Sequence, residues 1–302
     1  MNTPETLLGF QKRFSTERRC LDYLIHHRWP QGFVCPTCHH QKAYPLSRRR
    51  LLQCQACRHQ VSVTAGTLFH KTRTPLRKWF WMIFLMSHNK TSVSILGLQK
   101  LLGLKQYRTA WLMAQKIREA MVGRDARYQL TGLLEMDDAY FGAKNVAGKR
   151  GRGAAKKSSV VVSVQVNAQN KPGYASMQVV PTVNHQQLGQ VLDTKISATA
   201  TIKTDGLPAY SIIEKEHREH QRIVLGDPRR AGIELPWVHI LIANCKGILR
   251  GVHHGVSAKH LQRYLAEFCY RFNRRAIESR IFERLIVATL SAQPVTLAEL
   301  RA

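Results

Sequence analysis

Residues 133–143 read LLEMDDAYFGA, and the reading of this stretch decides the fold. From Leu133 the periodicity is that of a strand, and a turn-like stretch follows from Gly142. Asp137 lies inside that run, where a carboxylate must reach solvent, pair or bind a cation. Two more strand-like runs follow, SSVVVSVQVNA at 158–168 and GYASMQVVPTV at 173–183, joined by turn-rich stretches at 142–153 and 167–173. A helical stretch at 185–196 leads to the strand TIKTDG at 201–206. A second helical stretch at 208–217 leads to QRIVLG at 221–226.

The predicted order is βββαβαβα: an α/β domain with a mixed sheet and flanking helices, the arrangement of ribonuclease H-like domains. In that arrangement the first and fourth strands are central neighbours, which brings Asp137 towards Asp205 despite 67 intervening residues. Two carboxylates so placed repel unless a cation sits between them. Oxygen ligands suit Mg²⁺ or Mn²⁺, and a pair of such ions about 3.5 to 4 Å apart can serve phosphoryl transfer. Alternatives stay open. Asp138 or Glu135 could supply the ligand, alternation puts Glu135 on the face of Asp137, and Asp205 before Gly206 could simply cap a turn.

Charge names the partner. With 46 Lys+Arg against 19 Asp+Glu and a net charge of +27, the chain attracts polyanions, and double-stranded DNA or another nucleic acid is the expected partner. The longest apolar stretch, WFWMIFLM at 79–86, falls far below the roughly 20 residues that span a bilayer, and MNTPETLLGFQKRF lacks a signal-peptide core. No membrane partner is expected; a cytoplasmic, nucleoid-associated protein is.

Cys35, Cys38, Cys54 and Cys57 form two CxxC knuckles separated by 15 residues, a set that closes a tetrahedral structural Zn²⁺ site. His39, His40 and His59 are nearby substitutes that four cysteines make unnecessary. The expected product is a zinc ribbon whose hairpin, with Arg48, Arg49 and Arg50, faces phosphate. Cys20, Cys245 and Cys269 read as ordinary buried residues. After Pro75 the pattern turns helical. LRKWFWMIFLMSHN gives an apolar helix, and two segments broken near Gly103 are compatible with a helix-turn-helix. In the second of these, Tyr107, Ala110, Ala114, Ile117 and Met121 form a stripe, leaving Lys105, Arg108, Lys116 and Arg118 elsewhere on the surface.

The strings CPTC, AGTLFHKTRTPLRKWF, EMDDAYFG, KTDG, WVHILIANCK and above all HHGVSAKHLQRYLAEFCYRFNRR resemble the zinc-ribbon DDE transposases of bacterial insertion sequences, the branch related to eukaryotic Merlin elements. The resemblance implies metal-dependent DNA cleavage and strand transfer, with Asp137 and Asp205 as the first two catalytic acids. It places the third position on Asn244, where the wider family has glutamate, with Lys246 nearby as in an asparagine-bearing subgroup. An amide contributes no charge, so such a site holds its second ion less tightly, and Lys246 would orient a phosphate. Asn244 could instead be a plain helix residue, with Glu234 or Glu267 as the missing acid.

Without the resemblance, Ser257 begins a helix whose stripe of Leu261, Tyr264, Leu265, Phe268 and Phe272 packs on the sheet, leaving Arg263, Arg271, Arg274 and Arg275 for DNA. Lys144, Lys149, Arg150, Arg152, Lys156 and Lys157 make the first strand connection a basic loop. The expected domains are an N-terminal helix and ribbon (1–74), a helical segment (75–128), a catalytic domain (129–290) and a tail (291–302), acting as a homodimer or larger on DNA. The rivals are a catalytically inactive DNA-binding descendant and a structure-specific nuclease of the same fold.

Overall fold

In the computed structural model, which describes residues 6–46, 51–142, 157–223 and 231–301, the chain divides into two units. Residues 1–123 and 276–302 form one, residues 124–275 the other.

The first unit contains α1 (Leu7–Arg13), α2 (Glu17–Arg28), strands β1 (Ala43–Leu46), β2 (Leu51–Cys54) and β3 (Gln60–Ser62), then α3 (Leu76–His88), α4 (Ile95–Leu101) and most of α5 (Tyr107–Asp125). The strands make an antiparallel sheet in the order β1-β2-β3, the ribbon expected from the knuckles. The apolar run at 79–86 lies in α3, whose first amides, on Leu76 and Arg77, donate to the Glu17 carboxylate at 2.7 and 3.2 Å. Phe10, Phe14, Phe80 and Phe84 pack in one aromatic cluster with Phe282. Phe282 belongs to α11 (Ile281–Ser291), which sequence reading places in the catalytic domain. Instead α11 packs against α2 and α3, because its apolar side completes their aromatic core, and the short α12 (Leu297–Arg301) ends the same unit.

Two helices stand where the sequence expects the helical segment after α3. Ser94 caps α4 through a bond from the Gly97 amide (3.0 Å), Gly103 turns the chain at φ +55°, and α5 follows. Ala110, Ala114, Ile117 and Met121 are buried as expected, but Tyr107 is exposed and Arg118 fully buried. Lys105, just before α5, and Arg108 in its first turn are exposed, whereas Lys116 and Arg124 are half-buried.

The second unit holds β4 (Leu133–Phe141), β5 (Ser158–Val166), β6 (Pro172–Val180), α6 (His185–Lys195), β7 (Thr201–Asp205), α7 (Ile212–Lys215), β8 (His220–Ile223), α8 (Ala231–Glu234), α9 (Pro236–Gly251) and α10 (Ala258–Phe272). The sheet order is β6-β5-β4-β7-β8, with β4, β5 and β6 antiparallel in sequence and β7 and β8 parallel to β4. This is a ribonuclease H-like sheet. The pleat sends Ala139, Phe141, Val160, Val162 and Val164 into a core with α9 and α10. It sends Leu134, Met136, Val161 and Ile202 into another with α6.

Edge strand β6 is covered rather than left open. Gln262 of α10 accepts the Val179 amide (2.8 Å) and donates to the Met177 carbonyl (3.0 Å). Asn273 accepts from Ala175 (2.7 Å) and donates back to its carbonyl (3.0 Å). The basic residues expected to line DNA here serve structure too. Arg271 pairs with buried Glu267, Arg274 bonds Asp125 at 2.6 Å, and Arg275 donates to the carbonyls of Pro172 and Gly173.

Candidate active site

The four cysteine sulfurs lie within 4.8 Å of one another, with Cys35–Cys57 at 3.6 Å and Cys38–Cys54 at 3.5 Å. A tetrahedron with Zn–S bonds near 2.3 Å has edges of about 3.8 Å, so the donor set fits Zn²⁺. The two knuckles share one backbone design. His39 and Arg58, each directly after the second cysteine, have φ of 59° and 62°. The first cysteine's amide donates to the carbonyl two residues beyond the second, Cys35 to His40 (3.0 Å) and Cys54 to His59 (2.9 Å). Among the described residues no histidine joins the cluster. Arg48, Arg49 and Arg50 lie outside the described residues, as do Lys144, Lys149, Arg150, Arg152 and Lys156.

In the second unit the register aligns Met136 of β4 with Thr204 of β7. One residue further along these parallel strands, Asp137 and Asp205 stand level on the α9 face. Asp138 falls on the opposite face by alternation, which removes it as a substitute. Asp137 Oδ1 accepts the Asp138 amide at 2.8 Å, and Asp205 Oδ1 accepts the Leu207 amide at 3.1 Å, so Asp205 both shapes its turn and faces the site. Burial pushes the Asp137 carboxyl up to about 7; the Asp138 and Asp205 charges push the same way, against the Asp138 amide and Lys246. Neutralising that repulsion is what a divalent cation would do there.

α9 completes the group. His239 Nδ1 lies 3.7 Å from Asp137 Oδ2, and burial holds its pKa below the ordinary value, against the raising effect of Asp205. The ring is therefore neutral near pH 7. Its Nε2, on the far side of the ring from Asp137, is buried and has no hydrogen-bond partner among the described residues. Lys246 extends over Phe141, Nζ 5.3 Å from the ring centroid. Its pKa is lowered by burial and then by Lys157 and Arg250, and raised by Asp137.

Helix phase sets Asn244 apart from His239 and Lys246. Five residues of α-helix amount to a turn plus about 140°, whereas seven return within about 20° of the start. Lys246 thus shares the edge of α9 that carries His239. Asn244 is exposed on the other edge, across the buried stripe of Val238, Leu241, Ile242 and Cys245. Of the proposed alternative acids, Glu267 is buried against Arg271 and Glu234 lies 3.8 Å from Lys203. The signal that points to His239 in sequence is its spacing of seven from Lys246.

Known proteins agree with this architecture. Residues 15–60 match the transposase zinc-ribbon domain and residues 129–273 the ISXO2-like transposase domain. A protein of the transposable element ISH50 of Halobacterium salinarum, described as uncharacterized, is 25% identical over 284 residues, covering 86% of this chain and 92% of its own length. With both domains in order behind one another, the chain belongs to the zinc-ribbon transposases of insertion sequences.

Proposed function

We propose that this transposase cleaves DNA at the ends of its element and joins the released 3′-hydroxyl to target DNA, with Asp137, Asp205 and His239 around divalent metal and Lys246 on phosphate. The observation that supports it most is the level placement of two aspartates on adjacent parallel strands, one of them strained electrostatically, with His239 against it. Asn244, the position the family resemblance implies, is replaced by His239 in this reading.

Each residue has a separable task. Asp137, midway along β4, and Asp205, at the end of β7, gather positive charge. A divalent cation held by Asp137, Asp205 and His239 would supply charge stabilisation for the phosphate and would acidify the attacking hydroxyl or water. Neutral His239 offers a nitrogen donor beside the carboxylates, which tilts the choice from Mg²⁺ towards Mn²⁺, since Mg²⁺ holds to oxygen ligands. Lys246 is a point charge for a non-bridging phosphate oxygen, held in place by the Phe141 ring.

The partner is double-stranded DNA, at element ends and target. Its phosphates meet the ribbon hairpin (Arg48, Arg49, Arg50) and the first strand connection (Lys144, Lys149, Arg150, Arg152, Lys156, Lys157). The exposed start of α5 would enter a groove. Two ends require a homodimer or larger assembly.

The experiment is a strand-transfer assay with the element's own ends and Mg²⁺ or Mn²⁺, beside Asp137→Ala and Asp205→Ala. Joined products lost in both variants support the reading. Metal-dependent cleavage without joining would make the chain a nuclease, and binding without cleavage an inactive descendant.

A further inference from the structure

Two residues before each aspartate, the same strands carry a second charged layer. On β4 it is Glu135 and on β7 it is Lys203, paired directly by the register. Glu135 is 4% exposed, on the face of Asp137, and its Oε2 accepts the Val238 amide at 2.9 Å, with the Trp237 amide as a second donor. These amides belong to the first turn of α9, where no intrahelical carbonyl can satisfy them. The helix has no cap of its own, because its preceding residue, Leu235, offers no side-chain acceptor.

Lys203 works from the neighbouring strand. Its Nζ donates to the Glu234 carbonyl at 2.8 Å and lies 3.8 Å from Glu234 Oε2. Two central strands therefore grip the end of α8 and the first turn of α9 with charge-assisted bonds, which are stronger than neutral ones. His239 is the next residue after Val238, so the grip lies immediately beside the ring that meets Asp137. Burying a carboxylate costs more than using an ordinary serine or aspartate cap. What the strand-borne cap adds is a fixed distance between helix and sheet.

We infer that Glu135 is a positioning residue for the reaction, supported by Lys203 and Glu234: it sets the height and phase of α9 so that His239 and Lys246 face Asp137 and Asp205. The role of α9 in chemistry rests on the proposed function above, whereas the joint itself can be tested apart from it.

The test uses the full zinc-loaded chain as wild type, Glu135→Ala, Glu135→Gln and Lys203→Met. Three quantities are read: single-turnover cleavage at saturating DNA, DNA dissociation constant, and hydrogen exchange of the amides of residues 237–242. Since a misplacement near 1 Å can cost about 100-fold in rate, Glu135→Ala should lose about 30-fold or more in cleavage while DNA affinity stays within about 3-fold. Glu135→Gln keeps an acceptor oxygen and should recover to within about 5-fold of wild type. Protection of the Val238 amide should fall in the alanine variant and persist in the glutamine one. Wild-type cleavage in Glu135→Ala, or glutamine no better than alanine, overturns the inference. If the alanine variant does not fold, Lys203→Met decides: slower cleavage with unchanged DNA affinity supports the joint, and a wild-type rate removes it. Should the wild-type chain cleave nothing, the functional reading fails. The exchange comparison of wild type with Glu135→Gln and Lys203→Met then judges the joint, which unchanged protection in Lys203→Met would refute.

Discussion

The zinc ribbon and the proposed acidic site each draw on four side chains, yet they are assembled in opposite ways. In the ribbon the ligands arrive as two local pairs, and each knuckle's backbone repeats the other's down to the left-handed residue after the second cysteine. Spacing alone fixes that cluster. In the acidic site Asp137, Asp205, His239 and Lys246 come from β4, β7 and α9, so sheet register and helix phase must both be right. The first kind of site is written in a motif; the second is written in packing.

The sharpest break of this comparison is metal removal. A chelator should unfold the β1–β3 sheet, because a structural Zn²⁺ contributes on the order of 10 kcal/mol to so small an element, while the β4–β8 sheet persists. Amide signals of residues 35–62 and 133–205 followed by NMR during chelation check both halves. Simultaneous loss of both sets would mean that the ribbon is not a separate metal-folded element.

Packing carries the second site, so loosening it should be felt at intermediate size. Gln262→Ala and Asn273→Ala strip partners from the backbone of edge strand β6, and each should cost about 1–3 kcal/mol in urea unfolding. A cost near zero would mean that water replaces these amides and that α10 does not seal the edge.

A smaller effect concerns charge. Asp137 binds its proton more tightly when folded, its pKa lying at about 7 against an ordinary 3.8. Between those values the folded chain holds more protons than the unfolded one, so metal-free stability falls as pH rises through that window. Asp137→Asn should remove this slope and raise metal-free stability at pH 8, with no gain below pH ~4. Thermal unfolding across pH in EDTA-treated, zinc-reconstituted protein checks it; a variant that follows the wild-type curve would mean that Asp137 carries no such strain.

Much of this was legible in the chain. The strand runs, their order and the adjacency of Asp137 and Asp205 follow from periodicity and turn residues, and the structure has them in register. The helix-borne partner was not legible in the same way. WVHILIANCK shows apolar residues on most sides, and only the packed stripe of Val238, Leu241, Ile242 and Cys245 fixes the phase that exposes Asn244 and brings His239 inward. Arg118, Arg271 and Arg274 taught a similar lesson: charge pattern marks them for the surface, but each is buried. For Arg271 and Arg274 the acids that hold them, Glu267 and Asp125, come from their own helix and from across the fold. The return of α11 to the first unit was hidden because an apolar helix does not state which core it completes.

The most direct test of the account is single-turnover cleavage of an element end by His239→Ala and Asn244→Ala, measured side by side in Mn²⁺ and Mg²⁺. With His239 at the reacting centre, its alanine variant should lose about 100-fold or more, while Asn244→Ala, altering an exposed position, should stay within about 3-fold of wild type. The reverse result, an inactive Asn244→Ala and a fully active His239→Ala, would contradict the placement of α9 on which the whole site depends.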